Sequence, residues 1–392
     1  MLSSDLASRP DDLLWPRYDG RSLVNLLASV SRHFGVDTGH APLATRLPLA
    51  GAQTIVLIVA DGLGHFPLKR HLRAGSLPHL ETRISDGEAT YATMTSTFPS
   101  STMTAMTTIH TGASPAQHGW LGTSIHQGST VIDLLRQQDL LGGETTHLPP
   151  AVGTVYRRLA DAGVTVQAVT PAAFQGSVLN GWYYDGAQEV PYETLADFPD
   201  AIARAAAGGG PRYVIAYAPD FDTVSHDHGP YSRPAADTAR ALDTALHALL
   251  SRLPDDGSVL VLLTADHGHS DTPADLAVNL NAPLDGLLAG PPAGEVQARF
   301  LNVRPGAEDA VQDALADHAT VIPAADAWAD GLFGGPPAQE TFRARTGTHL
   351  AVARHGRQLT WDYPASPAVS KTGMHGGPVA EQMAVPLVMI RP

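Results

Sequence analysis

The chain contains no cysteine, and among its 392 residues only Lys69 and Lys371 are lysines. The missing cysteines exclude disulfides, thiolate nucleophiles, zinc fingers and iron–sulfur clusters. Any metal must then be held by imidazole and carboxylate groups, and 18 histidines supply the first of these. Basic residues are a minority (25 Lys and Arg against 39 Asp and Glu), which leaves a net charge of −14. That balance lacks the electrostatic footprint of a nucleic-acid polymer or anionic-membrane binder. It also repels a phosphate substrate overall, so a phosphate site would have to bring its own local positive charge, and bound cations would supply it. No apolar run approaches the roughly 18 residues of a membrane span. Residues 1–16 carry Asp5, Asp11 and Asp12 without a long apolar stretch, which does not read as a secretory leader. The expectation is a soluble, cytoplasmic protein with no membrane partner; the sequence does not address its oligomeric state.

What is present is a series of short, continuous apolar runs at 54–60, 164–169, 213–217, 258–263 and 384–390. Unbroken apolarity, as opposed to alternation, is the signature of parallel strands covered by helices on both faces. Helical periodicity lies between them at 153–162 and 234–253, the second repeating Ala235, Ala239, Leu242, Ala245, Leu246 and Leu249. The expected fold class is α/β, a doubly wound, mostly parallel sheet. From about residue 270 to 370 Pro and Gly become dense, with strands expected at 298–303 and 349–354 and a helix at 307–316. This segment reads as an inserted cap-like subdomain, with 1–269 and 371–392 forming the core.

Polar clusters follow the apolar runs, at the carboxyl ends where open α/β sheets bind their ligands. Asp61 follows the first run; by itself it would be an Asp-Gly turn. Asp222 and His226 stand four apart, with His228 beyond, so one helical turn would aim the first two the same way. Asp266 and His267 follow the run at 258–263, and Gly268 would let the backbone turn there. His375, between glycines, precedes the last run and gains meaning only from the others. Such His and carboxylate sets suit a pair of divalent ions, Zn2+ foremost and Mn2+ next. In the stretch 95–112, Met103, Met106 and Ile109 fall three apart on one expected helix, whose start carries Ser100, Ser101 and Thr102. A hydroxyl there meets free amides and the positive dipole end, which favour phosphate, and an alcohol becomes a nucleophile only beside an activating group.

The segments Asp61-Gly62, TFPSSTMTAMTTIHTG (97–112), DTVSHDHGP (222–230), TADHGH (264–269) and MHGG (374–377) together resemble the bacterial type I phosphodiesterase/nucleotide pyrophosphatase family of the alkaline phosphatase superfamily. The resemblance implies an alkaline phosphatase-like core that hydrolyses small phosphate esters, nucleotides included. It implies one zinc on Asp222, His226 and His375 and a second on Asp61, Asp266 and His267. Counting ten residues back from Gly112 selects Thr102 as nucleophile, whereas the Thr-Phe-Pro context points to Thr97; Thr102 is preferred, with Ser101 third. Where relatives carry a phosphoryl-binding Asn, this chain offers Thr123. Alternatives on the same scaffold are a phosphomonoesterase, a phosphonate hydrolase, a cofactor-independent phosphomutase and a non-catalytic metal- or nucleotide-binding protein. Selectivity is expected from 270–370 and from 175–185, where Trp182, Tyr183 and Tyr184 would stack on a base or pack.

Overall fold

The computed structural model describes residues 9–144 and 147–392. The N-terminal segment read as carrying no leader thus lies in part outside the described residues. A seven-stranded sheet organises the chain. Its strands are β1 (Thr54–Ala60), β2 (Ala89–Thr95), β3 (Thr165–Pro171), β4 (Gln188–Tyr192), β5 (Arg212–Ala218), β6 (Val259–Thr264) and β7 (Ala384–Ile390), in the order β2-β7-β6-β1-β5-β3-β4. β1 pairs in parallel with β5 and β6, and β3 with β4 and β5. All seven residues of β1 are buried, and successive residues enter different layers. Ile55, Leu57 and Val59 join one apolar cluster with Met103, Met106 and Ile109; Val56, Ile58 and Ala60 join a second with Ala235, Ala239, Leu246 and Leu249. This is the two-sided burial expected of a covered parallel strand, each fully buried Val, Leu or Ile contributing about 1.5–3 kcal/mol.

The expected run at 384–390 forms a strand, but it is not parallel. β7 runs antiparallel to both of its neighbours, β6 and β2. The reversal has a consequence for the site: residues preceding β7 sit at the same edge as residues following β1, β5 and β6. β2 and β4 escaped the apolar-run criterion because both are edge strands. β2 mixes Thr and Tyr with Ala and Met, and β4 contains Glu189 and Pro191, which a central strand would not tolerate.

Within 270–370 a four-stranded antiparallel sheet, in the order Ala293–Glu295, Ala298–Leu301, His349–Ala353 and Ala319–Pro323, packs with the helix Glu308–Leu315. Leu301, Val311, Leu315 and Leu359 belong to an apolar cluster of its own. A three-stranded sheet, Ser124–Gln127, Thr130–Asp133 and Gln138–Asp139, was not expected from the sequence. It is tied to the larger insertion where the Ser124 hydroxyl donates to the Gly294 carbonyl at 3.0 Å. Among the described residues no helix is long and apolar enough to cross a membrane.

Candidate active site

Three parallel strands deliver their following residues to one edge. Asp61 directly follows β1, and Asp266 and His267 lie just past β6. After β5 a helix, α1 (Asp220–His228), begins at once, and its i, i+4 spacing brings His226 Nε2 to 3.4 Å from Asp222 Oδ2. His375 arrives from the opposite direction, ahead of the reversed β7, with Nε2 3.7 Å from Asp222 Oδ1. His267 Nε2 lies 3.4 Å from Asp61 Oδ1 and 3.3 Å from Asp266 Oδ2. The His267 and His375 rings stack with centroids 3.7 Å apart, which joins the two groups. All six residues expected to hold metal are therefore gathered at one place, whereas His228 is exposed and takes no part.

The backbone sets the tautomer of three of these rings. His226 Nδ1 meets the Gly373 carbonyl at 2.9 Å, His267 Nδ1 the Gly268 carbonyl at 3.0 Å, and His375 Nδ1 the Ser100 carbonyl at 3.1 Å. A carbonyl oxygen only accepts, so each Nδ1 carries the proton and each Nε2 presents a lone pair to the carboxylates.

These residues fit a pair of divalent ions on two counts. Asp61 Oδ1 and Asp266 Oδ2 are buried without any hydrogen-bond partner, an arrangement that costs stability unless something electropositive occupies the gap. Donors sharing a tetrahedral ion at about 2.0–2.2 Å lie roughly 3.3 Å apart, close to the 3.3–3.7 Å found here. Burial, then the charges of Asp266 and Asp222, pushes the Asp61 carboxyl well above the usual carboxylate range. Opposing it, the Tyr217 hydroxyl donates to Asp61 Oδ2.

Among the glycines that crowd the site, two bear directly on its residues. Gly62 has φ of +72°, and a Cβ there would come within 2.8 Å of the His269 ring. Gly268 does not turn the backbone through positive φ as expected; it is needed because a Cβ would strike the Glu381 carbonyl.

Thr102 opens the helix α2 (Thr102–Thr111), and its Oγ1 stands 3.1 Å from His267 Nε2. The first helical bond runs from Ala105 N–H to the Ser101 carbonyl at 2.8 Å, so the amides of Thr102, Met103 and Thr104 have no partner inside the helix. Thr97 is fully buried with its Oγ1 directed at the Pro99 carbonyl, 3.4 Å away. Ser101 is also fully buried, 3.2 Å from Thr104 Oγ1. Of the three, Thr102 alone lines the cleft that contains Asp61, Asp222, His226 and His375.

That cleft has a volume of about 510 Å³. Its far wall comes from the three-stranded sheet and from the insertion, through Thr123, Arg136, Glu295, Arg299 and Trp361. The Thr123 amide donates to Glu295 Oε1. Tyr183 and Tyr184 do not reach the cleft; they are buried in the core, and Trp182 packs edge-on to Trp120 at 6.0 Å. The short helix Val178–Tyr183 brings Tyr183 to its buried side. Phe174, 39% exposed and passed over in the sequence, lines the cleft instead, together with Tyr217, Trp361 and Tyr363. His269, quoted in the TADHGH motif without a role, lies against Asp222.

A sequence profile described as type I phosphodiesterase/nucleotide pyrophosphatase matches residues 55–378. No curated protein sequence matches the chain. Among solved structures, murine ectonucleotide pyrophosphatase/phosphodiesterase 5, in an inactive form in complex with AMP, superposes with a TM-score of 0.64 at 18% identity, covering 86% of this chain and 87% of that one. Phosphonoacetate hydrolase from Sinorhizobium meliloti 1021 in complex with phosphonoformate superposes with a TM-score of 0.63 at 18% identity, covering 88% and 91%. At such identity the superpositions establish the alkaline phosphatase-like fold, and the profile establishes the lineage. The chain belongs to the type I phosphodiesterase/nucleotide pyrophosphatase family and is a hydrolase of phosphoric esters.

Proposed function

We propose that this protein is a two-metal phosphodiesterase acting on small diesters or nucleotide pyrophosphates, with Thr102 as its nucleophile. The observation that carries this reading is the position of Thr102 Oγ1, 3.1 Å from His267 Nε2 in the cleft where the carboxylates converge. Asp222, His226 and His375 would hold one ion and Asp61, Asp266 and His267 the other, and imidazole with carboxylate donors suits Zn2+ or, next, Mn2+. Two such ions would supply the positive charge that lowers the pKa of a hydroxyl and offsets the charge of a phosphoryl group.

Thr102 Oγ1 attacks phosphorus in line, the ester oxygen opposite departs, and water then hydrolyses the phosphothreonine. The unused amides at the start of α2 orient a phosphoryl oxygen, with the helix dipole adding to their pull. Thr123 occupies the position near which relatives carry Asn, and its amide is already engaged by Glu295. Residues 270–370 act as a cap over the core formed by 1–269 and 371–392, and the cleft between them selects the substrate.

The cations of the cleft favour a diester over a monoester or a phosphonate. Arg136 is paired with Asp133 at 2.7 Å, Lys371 with Asp227 at 2.8 Å, and Arg299 donates to the Leu359 carbonyl and the Tyr363 hydroxyl. Among the described residues that line the cleft, each basic side chain thus has a partner, and a dianionic monoester or a phosphonate carrying a carboxylate would lack one. Leu135, Phe174 and Val369, exposed by 51%, 39% and 64%, instead offer apolar surface to an organic ester group. The test compares hydrolysis of bis-p-nitrophenyl phosphate, p-nitrophenyl phosphate and phosphonoacetate by zinc- or manganese-loaded protein. A diester preference of at least about tenfold in kcat/KM is expected. Faster monoester turnover would move the protein to the phosphatase branch, and faster phosphonoacetate turnover to the phosphonate hydrolases.

A further inference from the structure

His269 is fully buried beside the metal-binding residues, and its function is not that of its neighbours. By proximity it would count as a ligand: one donor atom each from Asp222, His267, His269 and His375 lie within 4.8 Å of one another. Two features separate it from the other rings. The first is distance. His269 Nε2 lies 2.7 Å from Asp222 Oδ1, whereas the separations of His226, His267 and His375 from their carboxylates are 3.3–3.7 Å. Two donors on one tetrahedral ion sit roughly 3.3 Å apart. At 2.7 Å there is no room for that geometry, but it is the length of a charge-assisted N–H···O hydrogen bond.

The second feature is the other ring nitrogen. His226, His267 and His375 each hold Nδ1–H on a backbone carbonyl, which frees Nε2 for a metal. His269 Nδ1 is buried without any partner and faces the bare backbone of Gly373. No carbonyl fixes a proton on Nδ1, so the proton goes to Nε2, where the Asp222 oxygen accepts it.

We propose that His269 is a positioning residue: its Nε2–H donates to Asp222 Oδ1 and fixes the rotation of that carboxylate, so that Oδ2 is presented beside His226 Nε2. A ligating carboxylate held from behind in this way loses less freedom on binding, and removing such a partner weakens metal affinity by about 10–100-fold. The spacing also explains Gly62, since a Cβ there would come within 2.8 Å of His269 Cδ2 and 3.1 Å of Asp222 Cβ. The glycine leaves the space in which the two side chains meet.

The proposal rests on the two-metal reading, and its test separates the two. Zinc affinity is measured on the stripped full-length chain by competition with a chromophoric chelator, for the natural protein, His269→Met and His269→Gln. Methionine fills the space without a donor, and glutamine places its Nε2 where the imidazole Nε2 stood. The natural protein is expected to bind two ions. His269→Met should weaken one of them by about 10–100-fold and leave the other unchanged, and His269→Gln should recover most of the loss. Melting of the stripped variants shows whether each is folded. Affinities in His269→Met within about twofold of the natural protein would overturn the proposal alone. Loss of one ion in the glutamine variant as well, with melting unchanged, would make His269 a ligand and overturn it too. A natural protein that binds no second ion would overturn the two-metal reading and this proposal with it.

Discussion

Buried histidines of two kinds occupy this molecule, and the contrast between them locates the chemistry. His267 and His375, like the half-buried His226, give Nδ1 to a backbone carbonyl and turn Nε2 toward carboxylates. His118 spends both nitrogens inside the fold, accepting from the Trp120 amide and meeting Thr108 Oγ1, each at 3.1 Å. His110 meets the Tyr156 hydroxyl at 2.6 Å and stacks on Tyr183. Burial lowers the pKa of His110 to about 3, and burial with the nearby Arg345 charge does the same for His118, so both are neutral packing groups. The histidine content of a sequence therefore says little; what makes a ring a metal donor is which nitrogen the backbone has already taken and what faces the other.

The largest effect expected from this contrast comes from removing one ring of each kind. His267→Ala withdraws the nitrogen facing Asp61, Asp266 and Thr102, and should lower kcat/KM for a diester by about a thousandfold or more, with loss of bound ion. His118→Ala should leave the ion content of the folded protein intact and instead cost about 1–3 kcal/mol by orphaning the Trp120 amide and the Thr108 hydroxyl. Calorimetry with metal analysis of both variants decides; metal loss in His118→Ala would dissolve the distinction.

A smaller effect separates the two kinds by pH. A carboxyl whose folded pKa is raised, as for Asp61, binds more protons folded than unfolded above the ordinary carboxylate range. The stripped protein therefore loses stability as pH rises through the raised value, and bound ions relieve that loss. For His110 and His118, held at about 3 against 6.5 unfolded, stability falls as pH drops below 6.5, by up to about 1.4 kcal/mol per pH unit each. This second term is common to loaded and stripped protein and cancels in their difference. The gap in Tm between them should widen as pH rises above the ordinary carboxylate range and level off once Asp61 is ionised in the stripped protein. A constant gap would mean that the Asp61 cluster does not sense the ions.

Much of the site was legible in the sequence because three strands end within a few residues of their polar clusters. Asp61 directly follows β1, Asp266 with His267 and Asp222 with His226 come shortly after β6 and β5, and the i, i+4 spacing needed only one helical turn. His375 was harder, because a residue before a strand reaches the carboxyl edge only when that strand is reversed, and pairing direction leaves no trace in an apolar run. His269 was hidden by its neighbours: in TADHGH nothing distinguishes a ring that faces an ion from one that faces a carboxylate. The cleft's outer wall was unreadable for a different reason. The strands 124–127, 130–133 and 138–139 are only two to four residues long and pair with their chain neighbours, and what makes them a wall of the cleft is a contact 170 residues away, Ser124 with Gly294. The Trp182–Tyr184 cluster left stacking and packing both open, because aromatic content does not show which way a short helix turns, and Tyr183 and Tyr184 pack.

The proposed chemistry turns on Thr102, and the most direct measurement is hydrolysis of bis-p-nitrophenyl phosphate by metal-loaded Thr102→Ala beside Thr97→Ala. Thr102→Ala should retain its ions and its melting behaviour and lose about a thousandfold or more in kcat/KM. Thr97→Ala, altered at a buried position outside the cleft, should lose stability while its folded fraction keeps its turnover. Near-full activity in Thr102→Ala, with activity abolished in folded Thr97→Ala, would contradict the assignment of the nucleophile.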